Sequence, residues 1–162
     1  SAADVPQDLW PAEESDDGMK LLFNLLCRDV PAQFAFYRAV LGLPEAEASR
    51  SLIYRALEAA DFQFGFNAAP AYGLLGLADR QPADGERVPV VAYATLMLDG
   101  PDAVDAAVHA VKAAGGRVVK APYATYYGQW QAVLADPEDN VFRVSAIGLP
   151  EGAAMPPVPP QS

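Results

Sequence analysis

A chain of 162 residues, 52% of them hydrophobic, is long enough to bury one core or two small halves that share one, yet no uncharged apolar run reaches the length of a membrane span. The formal charge of −10, from 21 acids against 11 bases, argues against a nucleic-acid partner, which requires a basic stripe. One cysteine, Cys27, excludes an internal disulfide framework and a thiol cluster for zinc.

Residues 1–18 carry Asp4, Asp8, Glu13, Glu14, Asp16 and Asp17 with no base, so −6 of the charge sits there and −4 on the rest. With Pro6 and Pro11 this segment is expected to be a flexible acidic arm, and Leu9 and Trp10 are its only bulky apolar pair. The start has no cationic and apolar leader pattern, so a reducing cytoplasm is the expected compartment.

A first module is expected over residues 19–76. "LLFNLLC" (Leu21 to Cys27) reads as an apolar strand, and Cys27 within it as a buried, inert thiol. Asp29 can cap the following helix, Pro31 fits its first turn, and Phe34, Tyr37 and Leu41 recur at helical spacing before Gly42 stops it. "SLIYRALEA" and "FQFGFN" then read as strands, the second half-buried because Phe62, Phe64 and Phe66 alternate. "LADRQPADGERVP", residues 77–89, is a linker loop.

The second module, residues 90–147, repeats the order. "VAYATLML" is a strand, Pro101 opens a helix whose buried stripe is Val104, Val108 and Val111, and Gly115-Gly116 close it. "RVVKAP", "QWQAVLA" and "VFRVS" follow as strands, and residues 148–162, with five prolines in fifteen, form a Pro-rich tail that cannot build a helix or sheet interior. The repeat distance is about 70 residues, read from element order rather than identity, and the expected class is α+β.

Strand alternation also nominates polar positions. Asn24 is the lone polar residue of its strand and shares a face with Leu22 and Leu26, while Tyr93, Thr95 and Met97 form the matching face of the second half. Polar groups inside apolar strands need partners, and a ligand can be one. Trp130 with Tyr126 and Tyr127 makes an aromatic group suited to stacking on a flat ligand, or else a piece of core or dimer interface. Arg143 stands between Phe142 and Val144; if these are core, it points to the opposite face. There it meets a ligand, leans to solvent, or pairs with Asp139 at the strand mouth. His109, the single histidine, reads as a solvated helix residue, no hydrolase triad exists, and "GLLGLADR" lacks the Lys-Ser/Thr of a phosphate loop.

"FYRAVLGLP" (Phe36 to Pro44) and "YYGQWQAVLADPEDNVFRV" (Tyr126 to Val144) resemble the first-helix signature and the final strand-turn-strand of the vicinal oxygen chelate superfamily, which includes glyoxalase I, extradiol dioxygenases and bleomycin-resistance proteins. The resemblance covers about residues 20–146 and implies two βαβββ modules forming a curved sheet around a cleft, commonly as a homodimer. The enzymes of this group hold a metal through His or Glu on the first strand of each module and Glu on the last. Those positions fall near Leu22 and Tyr93 and on Arg143, where the enzymes show the Glu of "DPxGNxxE", and Gln63 corresponds to it in the first half. This is no ordinary ligand set, and a cation at Arg143 repels a metal. The resemblance therefore implies a member without metal or cofactor and without assigned catalytic residues. Its expected work is binding and sequestration of an antibiotic-like small molecule, as in antibiotic resistance, through Asn24, Gln63, Tyr93, Thr95, Tyr127, Trp130 and Arg143. The alternative is a lyase or isomerase of the glyoxalase type. It would use metal ligands from Glu58, Asp61 or a partner subunit, or Arg143 to stabilise an oxyanion with Tyr93 as proton donor.

Overall fold

A computed structural model describes residues 18–161, so all of the expected acidic arm except Gly18 lies outside the described residues. The chain divides into two compact units, residues 18–38 with 42–86 and residues 87–161 with 39–41.

The first unit contains β1 (Leu21–Leu26), most of α1 (Val30–Leu41), β2 (Tyr54–Glu58), β3 (Phe62–Asn67) and the short α2 (Pro70–Leu74). Asp29 caps α1 by accepting from the Ala32 amide at 3.0 Å, and Gly42 ends it at φ 65°, a left-handed conformation that costs glycine nothing. The sheet order is β1-β3-β2, with β1 parallel and β2 antiparallel to β3. The strand expected directly after α1 is reduced to one bridge, Glu45 to Leu57, flanked by Ala46 N to Ala56 O (2.8 Å) and Glu58 N to Pro44 O (3.0 Å). Pro44 has no N–H to extend the ladder, and a 3-10 turn at Glu47–Ser49 carries the chain away. The core is aromatic: the Tyr37 ring meets Phe64 edge-on at 4.7 Å and stacks on Phe66 at 5.4 Å. Each such burial is worth about 1.5–3 kcal/mol. Arg55 lies over the Phe34 ring at 3.8 Å and, with Arg50, binds the Glu45 carboxylate. The hydrogen bonds from Arg50 and then Arg55 outweigh desolvation and hold that carboxyl down at about 2.

The second unit contains β4 (Ala94–Leu98), α3 (Pro101–Ala113), β5 (Arg117–Ala124), β6 (Gln129–Ala135) and β7 (Val141–Ile147), in the order β4-β7-β6-β5. As in the first unit, the first strand runs parallel to the last and the others are antiparallel. The α+β class is that expected; the second unit has the full strand, helix and three-strand order, and the first has it less one strand. The core here is mostly aliphatic: Val104, Val108 and Val111 of α3 are buried, as are Ala132, Leu134 and Val144 on the strands, with Phe142 as the aromatic member. The turn from β6 to β7 is built on Asp136, whose Oδ1 accepts from the amides of Glu138 (2.9 Å) and Asn140 (3.0 Å). Asp139 takes φ 68° where the family pattern has glycine. Among the described residues, no helix is long and apolar enough to cross a membrane.

Candidate functional site

Each sheet has one face against apolar side chains and one face with a polar network. In the first unit the register puts Leu22 beside Gln63 and Asn24 beside Gly65, with Tyr54 and Glu58 on the same face of β2. The Tyr54 hydroxyl donates to Asn24 Oδ1 at 2.9 Å and accepts from Gln63 Nε2 at 3.0 Å, and Gln63 Nε2 also reaches Ser49 Oγ at 3.4 Å. The Tyr54 phenol lies across Gly65, where a Cβ would collide with its hydroxyl and with Asn24 Oδ1. Burial pushes the Tyr54 phenol up, against the opposing pull of the Gln63 hydrogen bond. The structure thus joins Asn24 and Gln63 through Tyr54, a residue that alternation did not nominate. The glycine inside "FQFGFN" was the available signal, since glycine in a strand interior often marks a close approach.

In the second unit Phe142 and Val144 are buried toward the core, and Arg143 projects from the other face beside Thr95, its register partner on β4. Arg143 Nε donates to Thr95 Oγ1 at 2.5 Å, Nη1 reaches the Tyr127 hydroxyl at 3.5 Å, and the guanidinium lies 4.9 Å from the Tyr93 ring centroid. Tyr93 precedes β4 by one residue, so the strand neighbour of Arg143 is Thr95 rather than Tyr93. Asp139 does not pair with Arg143; its ion pair is with Arg117. Among the described residues no carboxylate pairs with Arg143. The network continues from the Tyr127 hydroxyl to Gln131 Oε1 (2.9 Å), and from Gln131 Nε2 to the Tyr123 hydroxyl (2.5 Å).

Tyr93, Thr95, Tyr127 and Arg143 therefore come together. Trp130 does not join them. On β6 it alternates with Gln131, faces α3, and donates through Nε1 to Asp105 Oδ1 at 2.9 Å. The pattern "QWQAVLA" carried this information, because Trp130 shares parity with the buried Ala132 and Leu134. Gln131 and Tyr123 were not nominated from sequence. Gln131 is buried yet polar. Tyr123 stands beyond irregularities in β5 that break a two-residue count.

The family's metal positions can be tested on the donors present. The register pairs Leu22 with Gln63 and Thr95 with Arg143, giving an alkyl chain, an amide, a hydroxyl and a fixed cation. Glu58 pairs with Gln63, but among the described residues no three His, Cys, Asp or Glu side chains gather. Neither sheet's own donor set fits a divalent ion, which needs several deprotonated ligands.

A sequence profile described as a glyoxalase-like domain matches residues 20–145. Among solved structures, a glyoxalase/bleomycin resistance protein/dioxygenase family enzyme from Burkholderia phytofirmans PsJN is 41% identical, with a TM-score of 0.71 over 78% of this chain and 96% of that one. Two more distant structures share the fold. A glyoxalase-related enzyme from Fulvimarina pelagi has 16% identity and a TM-score of 0.64 over 79% of this chain and 87% of that one. A lactoylglutathione lyase from Agrobacterium tumefaciens has 18% identity and a TM-score of 0.54 over 82% of this chain and 95% of that one. A search of curated proteins finds no match.

Proposed function

Because the chain belongs to the glyoxalase-like domain family, we propose that it is a member that binds a small anionic, partly aromatic molecule without a metal. One observation carries this reading: Arg143, a guanidinium without a carboxylate partner among the described residues, is held by Thr95 and Tyr127 beside the ring of Tyr93. A guanidinium is a planar fork of donors that matches a carboxylate or a polarised carbonyl, and a fixed cation suits an anion where a metal would be repelled. Tyr93 and Tyr127, each about half exposed, offer ring surface for a flat ligand. Asn24 and Gln63 belong to the reading as polar positions on the first sheet, and Trp130 as a support from the helix side. The physical work is sequestration, with resistance to a natural product as its most specific form, in a homodimer.

The test is calorimetric titration with aromatic carboxylates, cationic aromatic compounds, and divalent metals. Carboxylates are expected to bind, and Arg143→Met to abolish that binding while the protein stays folded. Binding of the cationic compounds, or of Mn²⁺, Ni²⁺ or Zn²⁺ reversibly by chelator, with no response to the anions, overturns it. The hydrogen bond between Arg143 and Tyr127 also favours a second reading, a lyase or isomerase in which Arg143 stabilises a developing oxyanion and Tyr93 supplies a proton. Turnover of a carbonyl substrate that is lost in both Arg143→Met and Tyr93→Phe would put that reading first.

A further inference from the structure

β5 does not keep a two-residue repeat. Its pairing with β6 runs Val118 to Leu134, Lys120 to Val133 and Tyr123 to Gln131, with a register shift in each interval. In a regular strand Lys120 and Tyr123, three residues apart, would point to opposite faces. The irregularity across Ala121 and Pro122 brings them to the same one, where the Lys120 ammonium lies 3.8 Å from the Tyr123 ring centroid. That face is also the face of Arg143, because Val133 pairs with Lys120 on one side and with Arg143 on the other.

The hydrogen bonds on this face run in one direction. A guanidinium only donates, so the Tyr127 oxygen accepts from Arg143 and its own proton goes to Gln131 Oε1. Gln131 Nε2 in turn donates to the Tyr123 oxygen. The Tyr123 hydroxyl proton is the end of the sequence and is not consumed by it. The strand residues of this face include Arg143 and Lys120 and no acid, in a chain of net charge −10. A face whose strand residues carry two cations and no acid, on an acidic protein, suits an anion.

We propose that Lys120 and Tyr123 form a second anchoring subsite, so that the ligand is an aromatic carboxylate with a further oxygen acceptor at its far end: one oxygen group on Arg143, the other on the Tyr123 hydroxyl beside the Lys120 ammonium. The proposal rests on the Arg143 reading above. Its test compares two probes on the full chain by calorimetry: benzoate, with one anionic group, and terephthalate, with two on opposite ends of the ring. The wild-type protein is expected to bind terephthalate about tenfold more tightly than benzoate, the size of one good charge-assisted hydrogen bond. In Tyr123→Phe and in Lys120→Met this ratio is expected to fall toward one, and thermal unfolding verifies that each variant is folded. Because the readout is a ratio within each variant, a general loosening of the fold does not imitate it. Equal affinities in the wild type, or a preference that survives Tyr123→Phe, overturn the second subsite while leaving the Arg143 site in place. Binding of neither acid overturns both.

Discussion

The two modules share one element order but use their polar faces in opposite ways. On the first sheet, Tyr54 bridges Asn24 and Gln63 over the hollow left by Gly65, and every hydrogen bond in that chain is between uncharged groups. On the second, the network starts at a cation with no carboxylate partner among the described residues and ends at the Tyr123 hydroxyl. The cores differ as well, with stacked aromatic rings behind the first sheet and valines, leucine and alanines behind much of the second. A duplicated fold can therefore lean toward cohesion in one copy and recognition in the other, since among the described residues it is the second face that carries a guanidinium inside its hydrogen-bond network.

Gly65→Ala tests the cohesive side and should have the largest effect. The new methyl displaces the Tyr54 phenol and breaks its two hydrogen bonds, for an expected loss of about 2 kcal/mol in urea unfolding. Trp130→Phe should cost about 1.5 kcal/mol by leaving Asp105 without its donor. It should leave carboxylate affinity unchanged, because Trp130 faces α3; a large loss of affinity would join both faces of the second sheet to recognition. Acid unfolding probes Glu45. Its carboxyl is held at about 2 against an ordinary 4.5, so the unfolded chain binds the proton first and stability rises with pH between those values. That contribution is fully present above about pH 4.5 and is lost as pH falls toward 2, worth about 1 kcal/mol once exposure of Arg50 to solvent is counted. Arg55→Leu should flatten this part of the curve. Arg143→Met should have the smallest effect on stability, under about 0.5 kcal/mol, because no buried ion pair is broken. A large loss of stability would make Arg143 a structural residue like Tyr54.

Much of the fold was legible because single residues had few alternatives. Asp29, Pro31 and Gly42 bound α1, Pro101 opens α3, and "FQFGFN" is β3 from its first residue to its last. The side to which Arg143 points followed from its neighbours, because Phe142 and Val144 had only one face to fill. The site was less legible, and parity is the reason. Adjacency grouped Trp130 with Tyr127, although alternation sends Trp130 to the helix. Tyr123 escaped because counting by twos fails across the irregular stretch of β5. Tyr54 escaped because its partners lie on two other strands, and such cross-strand contacts need the register, which no local pattern contains.

The shortened strand at Pro44 to Ala46 bears on how the folded chain avoids its own kind. A full outer strand would present a continuous row of open amides and carbonyls, the template on which sheets of separate molecules fuse. Here Pro44 ends the pairing with β2, and one bridge followed at once by a 3-10 turn leaves an intruding chain too short a stretch to pair along. The same economy that cost the first module a strand protects a protein of high hydrophobic content from growing at that edge.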